Sequence, residues 1–279
     1  MPVSLYRFRS LNAIILVLLF SSGSGVGLLA DTPDRPEDTP GREQKTPSSD
    51  APISEADEMR RLKAITDEII ARTNDFRAEN DLESLSVAPD LTKAAAKFAK
   101  YMAGTDRYGH NADGGTPARR AEAAGYDYCM VRENIAYRTN TGEPTRASLT
   151  ELFVQGWIDS PGHRENMLAE YATQTGVAVA TDDGNTFYAV QLFGRPKSRS
   201  IEIQVTNRSE QTVTLVTESN GSRDEFAMQP RMKFKMRRCF PTTIQLVSSE
   251  ETVTAKESQS LMIEDGPVLL KQTSETSTE

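Results

Sequence analysis

Trp157-Ile158-Asp159-Ser160-Pro161-Gly162-His163-Arg164-Glu165-Asn166-Met167-Leu168 is the stretch that decides the fold: it closes one helical pattern and turns the chain towards two strands. Before it, Leu149, Leu152, Phe153 and Trp157 recur on one face of a helix opened by Pro144. Trp157 is on that apolar face, so it reads as a core residue and not as a ligand platform. After it come two strand-like runs, Thr175–Thr181 and Thr186–Phe193. They are joined by Asp182-Asp183-Gly184-Asn185, a hairpin signal.

Further upstream the helical pattern repeats. Ser54 followed by Asp57 resembles a capping box with Asp in place of Glu, and Leu62, Ile65, Ile69 and Phe76 follow at helical spacing. A second helix starts at Pro89, with Leu91, Ala94, Ala95, Phe98 and Met102 on one face. Thr116-Pro117 starts a short third helix that Gly125 ends. Helices and strands mixed over residues 55–197 predict an α+β or layered α/β domain. Beyond Arg195-Pro196, alternation at Ile201/Ile203/Val205, Val213/Leu215, Met232/Phe234/Met236 and Ile244/Leu246 predicts a small all-β module, a sandwich, over 198–270, with a frayed tail over 271–279.

The N-terminus reads as an export signal over residues 1–30: Arg7 and Arg9, the apolar run Ala13–Phe20, a serine-glycine break and Ala30. An uncleaved membrane anchor is the alternative. Cleavage is favoured, because Asn12 and the break leave the apolar part too short to span a bilayer. Either way the rest of the chain is secreted or otherwise extracytoplasmic. Residues 31–54, with five prolines among acidic and hydroxyl side chains, read as a disordered spacer.

The net charge of −8 over 279 residues is uneven. Residues 31–60 carry nine acids against four bases, or −5, while 61–197 carry −3 and 198–279 carry −2. Neither folded part is basic, which argues against a nucleic-acid partner. Two cysteines and two histidines exclude a disulfide-stapled scaffold and a four-thiolate zinc site. Cys129 and Cys239 either form one bridge between the two parts or stay as separate buried thiols. The second reading is favoured, since nothing in the sequence places them together. Arg231, Lys233, Lys235 and Arg237 alternate with apolar residues as the charged face of a half-buried strand.

Both histidines fall in glycine-containing turns, Gly109-His110-Asn111 and Pro161-Gly162-His163, 163 − 110 = 53 residues apart. The stretches around them, with Asn74-Asp75-Phe76-Arg77, Tyr108-Gly109-His110-Asn111, Ala124-Gly125-Tyr126, Glu133-Asn134-Ile135-Ala136, Trp157 to Leu168, Thr175-Gly176-Val177-Ala178 and Gln191-Leu192-Phe193-Gly194, resemble the CAP superfamily (cysteine-rich secretory, antigen 5 and pathogenesis-related proteins) in its bacterial SCP-like extracellular form. The resemblance covers residues 60–195 and none of the C-terminal part.

It implies a three-layer α-β-α sandwich with an open cleft where two histidines and two acids converge, often around a divalent cation. Carried over, His110, Glu133 and His163 match the family's positions, while Ser160 stands where eukaryotic members have a second glutamate, with Asp159 beside it. Asn111, Asn134 and Gln191 are further cleft candidates. Two neutral imidazoles and a carboxylate suit zinc or a similar cation. Bound water would then make Glu133 a general base for hydrolysis. No HExxH, no GxSxG and no paired cysteine nucleophile is present. The favoured function is therefore non-catalytic binding of an extracellular lipid, peptide or wall component, with a metal-dependent hydrolase as the alternative.

Overall fold

The structure is a computed structural model that describes residues 54–139, 145–249, 252–265 and 270–273. The proposed export signal, the spacer up to residue 53 and Pro144 lie outside the described residues.

Helix α1 (Glu55–Ala78) starts as the sequence indicates: the Ser54 hydroxyl accepts from the Asp57 amide and donates to the Asp57 carboxylate. Strand β1 (Ser86–Val87) leads into α2 (Pro89–Thr105) and α3 (Pro117–Ala124), and α3 is capped by Thr116 and ended by Gly125 at φ 104°. Strand β2 (Tyr128–Thr139) precedes α4 (Arg146–Asp159), α5 (Pro161–Met167), β3 (Gln174–Thr181) and β4 (Thr186–Pro196). The sheet order is β1-β3-β4-β2, so β2 has an open edge.

Helices cover both faces of this sheet, and the alternation along β4 sorts them. Phe187, Ala189 and Phe193 pack with Ile65 and Ile69 of α1, Phe153 and Trp157 of α4 and Met167 of α5. Tyr188, Val190 and Leu192 pack with Leu91, Phe98 and Met102 of α2 and Ala121 of α3. Gly176 lets α2 lie against β3, because an added Cβ would collide with backbone at Leu91 and Thr92. Trp157 is 1% exposed and donates from Nε1 to the Ile135 carbonyl, a core role.

Strands β5 (Ile201–Asn207), β6 (Val213–Ser219), β7 (Ser222–Met228), β8 (Lys233–Arg238), β9 (Thr242–Leu246), β10 (Thr252–Ala255), β11 (Gln259–Ile263) and β12 (Leu270–Thr273) make two further four-stranded sheets, ordered β10-β9-β6-β7 and β12-β11-β5-β8. Their inward residues, among them Val205, Leu215, Ile244 and Leu261, form one apolar cluster. Contact density puts these strands in the same compact unit as the helical part. Strand β12 runs to Thr273, past the start of the expected tail at 271. Pairing with β11 satisfies backbone that polar composition alone assigns to solvent.

The cysteine reading needs correcting. Cys129 and Cys239 are bridged, with Cα atoms 5.3 Å apart, and no free thiol remains. Tyr171 meets Phe240, the residue after Cys239, at a tilt of 54° with ring centroids 5.3 Å apart. The meeting of these residues is a tertiary event, so sequence spacing carries no trace of it. Among the described residues no helix is long and apolar enough to cross a membrane.

Candidate functional site

Glu133 lies on β2 opposite Leu192 and so faces the α2/α3 side of the sheet. Its side chain is 1% exposed, and both carboxylate oxygens are engaged. His110 Nδ1 lies 2.8 Å from Oε1, and Arg120 Nη2 donates to Oε2 at 2.7 Å. An ionised carboxylate only accepts, so a neutral His110 must carry its proton on Nδ1 and present a bare Nε2 outwards. The ring itself is half exposed.

Arg120 was not anticipated from sequence. Its guanidinium lies 3.5 Å from the Phe98 ring centroid. It also donates to the His110 carbonyl (2.9 Å) and to Asp113 Oδ1 (2.9 Å). It therefore braces the 110–115 turn against β2 while it neutralises Glu133. An arginine at the fourth position of a short helix carries no motif that could have revealed this.

His163 is in helix α5 and not in the turn expected from Pro161-Gly162. Proline at the first helical position presets φ, and Ser160 before it is extended (φ −91°, ψ 117°). Two asparagines fasten α5 to the open edge of β2. Asn134 Nδ2 donates to the His163 carbonyl (3.0 Å), and Asn166 Nδ2 donates to the Glu133 carbonyl (3.1 Å) and to Asn134 Oδ1 (2.9 Å). Burial lowers the His163 pKa, and the neighbouring His110 charge lowers it further, so the neutral ring is favoured. By linkage, this group contributes stability above the ordinary imidazole pKa, and that contribution is lost as the pH falls through the depressed value.

Tyr108 and Tyr137 flank this face. Each is 47% exposed, and their rings meet edge to face with centroids 4.9 Å apart. The Tyr108 hydroxyl donates to the Ile135 carbonyl, another group on the β2 edge. Neither ring stood out in the sequence, because an exposed tyrosine looks like any surface residue until its neighbours are placed.

The remaining candidates divide. Asn111 is at the surface next to His110, and its amide nitrogen, suitably oriented, donates to Gly115 O (2.9 Å) and His110 O (3.2 Å). Asp159 is exposed and accepts from Gln155. Ser160 caps α5 by backbone alone, without a side-chain hydrogen bond to the helix. Gln191 does not belong to the cleft: it is fully buried on the α1 side of the sheet, bonded to Thr73 and Thr175. Its odd position on β4 sends it to the face opposite Glu133 and Leu192.

Among the described residues no three His, Cys, Asp or Glu side chains group to hold a metal ion. Glu133 is buried and bonded to a guanidinium, which opposes a second cation at the same carboxylate. Its geometry fits a residue that orients His110 from behind.

The sequence profile of the CAP, or cysteine-rich secretory protein, family matches residues 70–193. The Bacillus subtilis protein YkwD is 25% identical over 135 residues, which cover 48% of this chain and 49% of YkwD. The chain thus spans about half the length of that relative. An extracellular Bacillus anthracis protein containing an SCP domain is 26% identical, with a TM-score of 0.43, and the match covers 52% of this chain and 45% of that one. An outer surface protein of Borrelia burgdorferi is 21% identical, also with a TM-score of 0.43, over 48% of this chain and 95% of its own. The ordered motifs and the profile match together identify residues 70–193 as a bacterial CAP domain, of the cysteine-rich secretory protein family.

Proposed function

We propose that the chain is an exported CAP protein whose His110, His163, Tyr108 and Tyr137 face binds an extracellular lipid, peptide or wall-derived ligand without catalysis. In this reading residues 198–270 are a β module that helps to localise it. The carrying observation is the double engagement of a buried Glu133: each carboxylate oxygen already holds a protein partner, His110 or Arg120, and the side chain is 1% exposed, so water has little access to it as a base. Two half-open imidazoles and two exposed aromatic rings are groups that bind. The extracellular description of the Bacillus anthracis relative agrees with export.

Zinc is the probe that reads this face. Two imidazoles without a third ligand should bind it weakly, and calorimetry should show that heat disappear in His110→Ala/His163→Ala. It should also fade as the pH falls below about 6.5, where imidazoles protonate. Zinc affinity unchanged in the double variant removes the shared face. Chelator-sensitive hydrolysis of peptide, ester or glycan substrates that Glu133→Gln abolishes would replace the binding reading with a hydrolase.

A further inference from the structure

On the far side of Arg120 and the 113–115 turn from the histidines, α2 and α3 border a groove of ≈ 380 Å³, within the range of small-molecule sites. Ala94, Ala123 and Ala124 give it apolar walls, and Lys93, Lys97 and Arg119 surround it. The two lysines stand one helical turn apart on α2, and Arg119 comes from the first turn of α3. None of these three side chains has a hydrogen-bond or ion-pair partner among the described residues. Asp113, the acid in the lining, is already neutralised by Arg120 and by the Gly115 amide.

Three unpaired cations therefore converge on one concavity of a chain whose net charge is −8. Like charges one turn apart work against the helix that carries them. The field in a concave, apolar-walled groove is focused where an anion would sit.

We infer that this groove is a second binding site, for a phosphate-bearing ligand. A carboxylate brings one negative charge, whereas a phosphate monoester brings about 1.5 to 2 near neutral pH in a compact group with three acceptor oxygens. That matches an arginine fork with two lysine point charges. The alanine walls take the organic part. The ligand's phosphate belongs either to a soluble organophosphate or to a lipid headgroup, and both present the same chemistry to the groove. The site shares Arg120 with the histidine face but does not depend on what that face binds.

Pyrophosphate titrated calorimetrically into the full chain is the direct probe, with Lys93→Gln/Lys97→Gln/Arg119→Gln as the test variant. Arg231→Gln/Lys233→Gln/Lys235→Gln removes the same charge elsewhere and is the control. Affinity should fall about tenfold or more in the groove variant and change little in the control. No binding by the parent, or equal weakening in both variants, overturns the inference. Co-sedimentation with phosphatidic acid vesicles, but not with phosphatidylcholine vesicles, assigns the phosphate to a lipid if the groove variant loses it. Pyrophosphate binding without vesicle binding assigns it to a soluble ligand.

Discussion

Replacing Arg77 by methionine is expected to lower folding stability by about 3–5 kcal/mol, a large loss of the kind that follows when buried polar groups lose their partners. Arg77 is 1% exposed on the inner face of α1. Its guanidinium donates to Glu83 O (2.9 Å), Met167 O (2.7 Å), Ala169 O (3.1 Å) and Ala172 O (3.4 Å). Among the described residues it has no carboxylate partner, and burial lowers its pKa. What holds the charge is a cage of carbonyls, including one from the negative end of α5.

Methionine fills the volume but takes the donor away from all four carbonyls, of which Ala169 O keeps the Ala172 amide and Glu83 O lies near the surface. Lysine keeps the charge, but its single ammonium lacks the planar fork that reaches four separate carbonyls. Urea unfolding should show a lower midpoint in both variants with an unchanged slope. A loss below about 1 kcal/mol in Arg77→Met would mean that water enters and satisfies the cage. Because three of the four carbonyls lie between the end of α5 and β3, the variant also loosens the segment that carries His163.

The second large effect belongs to the disulfide. Cys129 and Cys239 are 110 residues apart, and closing so long a loop removes much freedom from the unfolded chain. The chain-entropy argument sets the stabilisation at about 4–5 kcal/mol. Cys129→Ser/Cys239→Ser should lose a stability of that order, and the parent should lose it on reduction. The double variant should be indifferent to reductant. An unchanged midpoint on reduction would show that the bridge does not constrain the unfolded chain. A bridge of this kind also agrees with an oxidising compartment, as the export reading requires.

Much of the helical layer was legible because it follows local rules. Ser54, Pro89, Thr116-Pro117 and Gly125 mark helix ends by chemistry that needs no tertiary partner. Strand β2 was not legible. Arg132, Glu133 and Asn134 interrupt its apolar pattern because they serve the edge of the sheet and the turn beside it, so the residues that matter most hid the element that carries them. In the C-terminal part, β7 escaped for a similar reason: at the outer edge of its sheet, Ser222-Arg223-Asp224-Glu225 are all exposed.

The candidate site was legible as a set of residue types and not as an arrangement. His110 and Glu133 do meet, but Arg120 joins them and changes what Glu133 can do. Asn134 proved to be scaffold, since its amide is spent on the His163 backbone. Gln191 sits in one of the family's motifs yet points away from Glu133, which a strand register decides and a motif does not.

The central claim of the proposed function is that Glu133 orients His110 by accepting from its Nδ1. Nitrogen-15 spectra of the imidazole rings at alkaline pH test it directly. The parent should show His110 with its proton on Nδ1 and a bare Nε2. In Glu133→Gln, Arg120 still takes the amide oxygen, so the amide NH2 faces Nδ1 and the proton should move to Nε2. The same spectra followed downwards in pH should show His163 titrating below the ordinary imidazole value, and moving part of the way back in His110→Ala, because burial is the larger cause. A parent with the proton on Nε2, or a tautomer that Glu133→Gln leaves unchanged, would contradict the account.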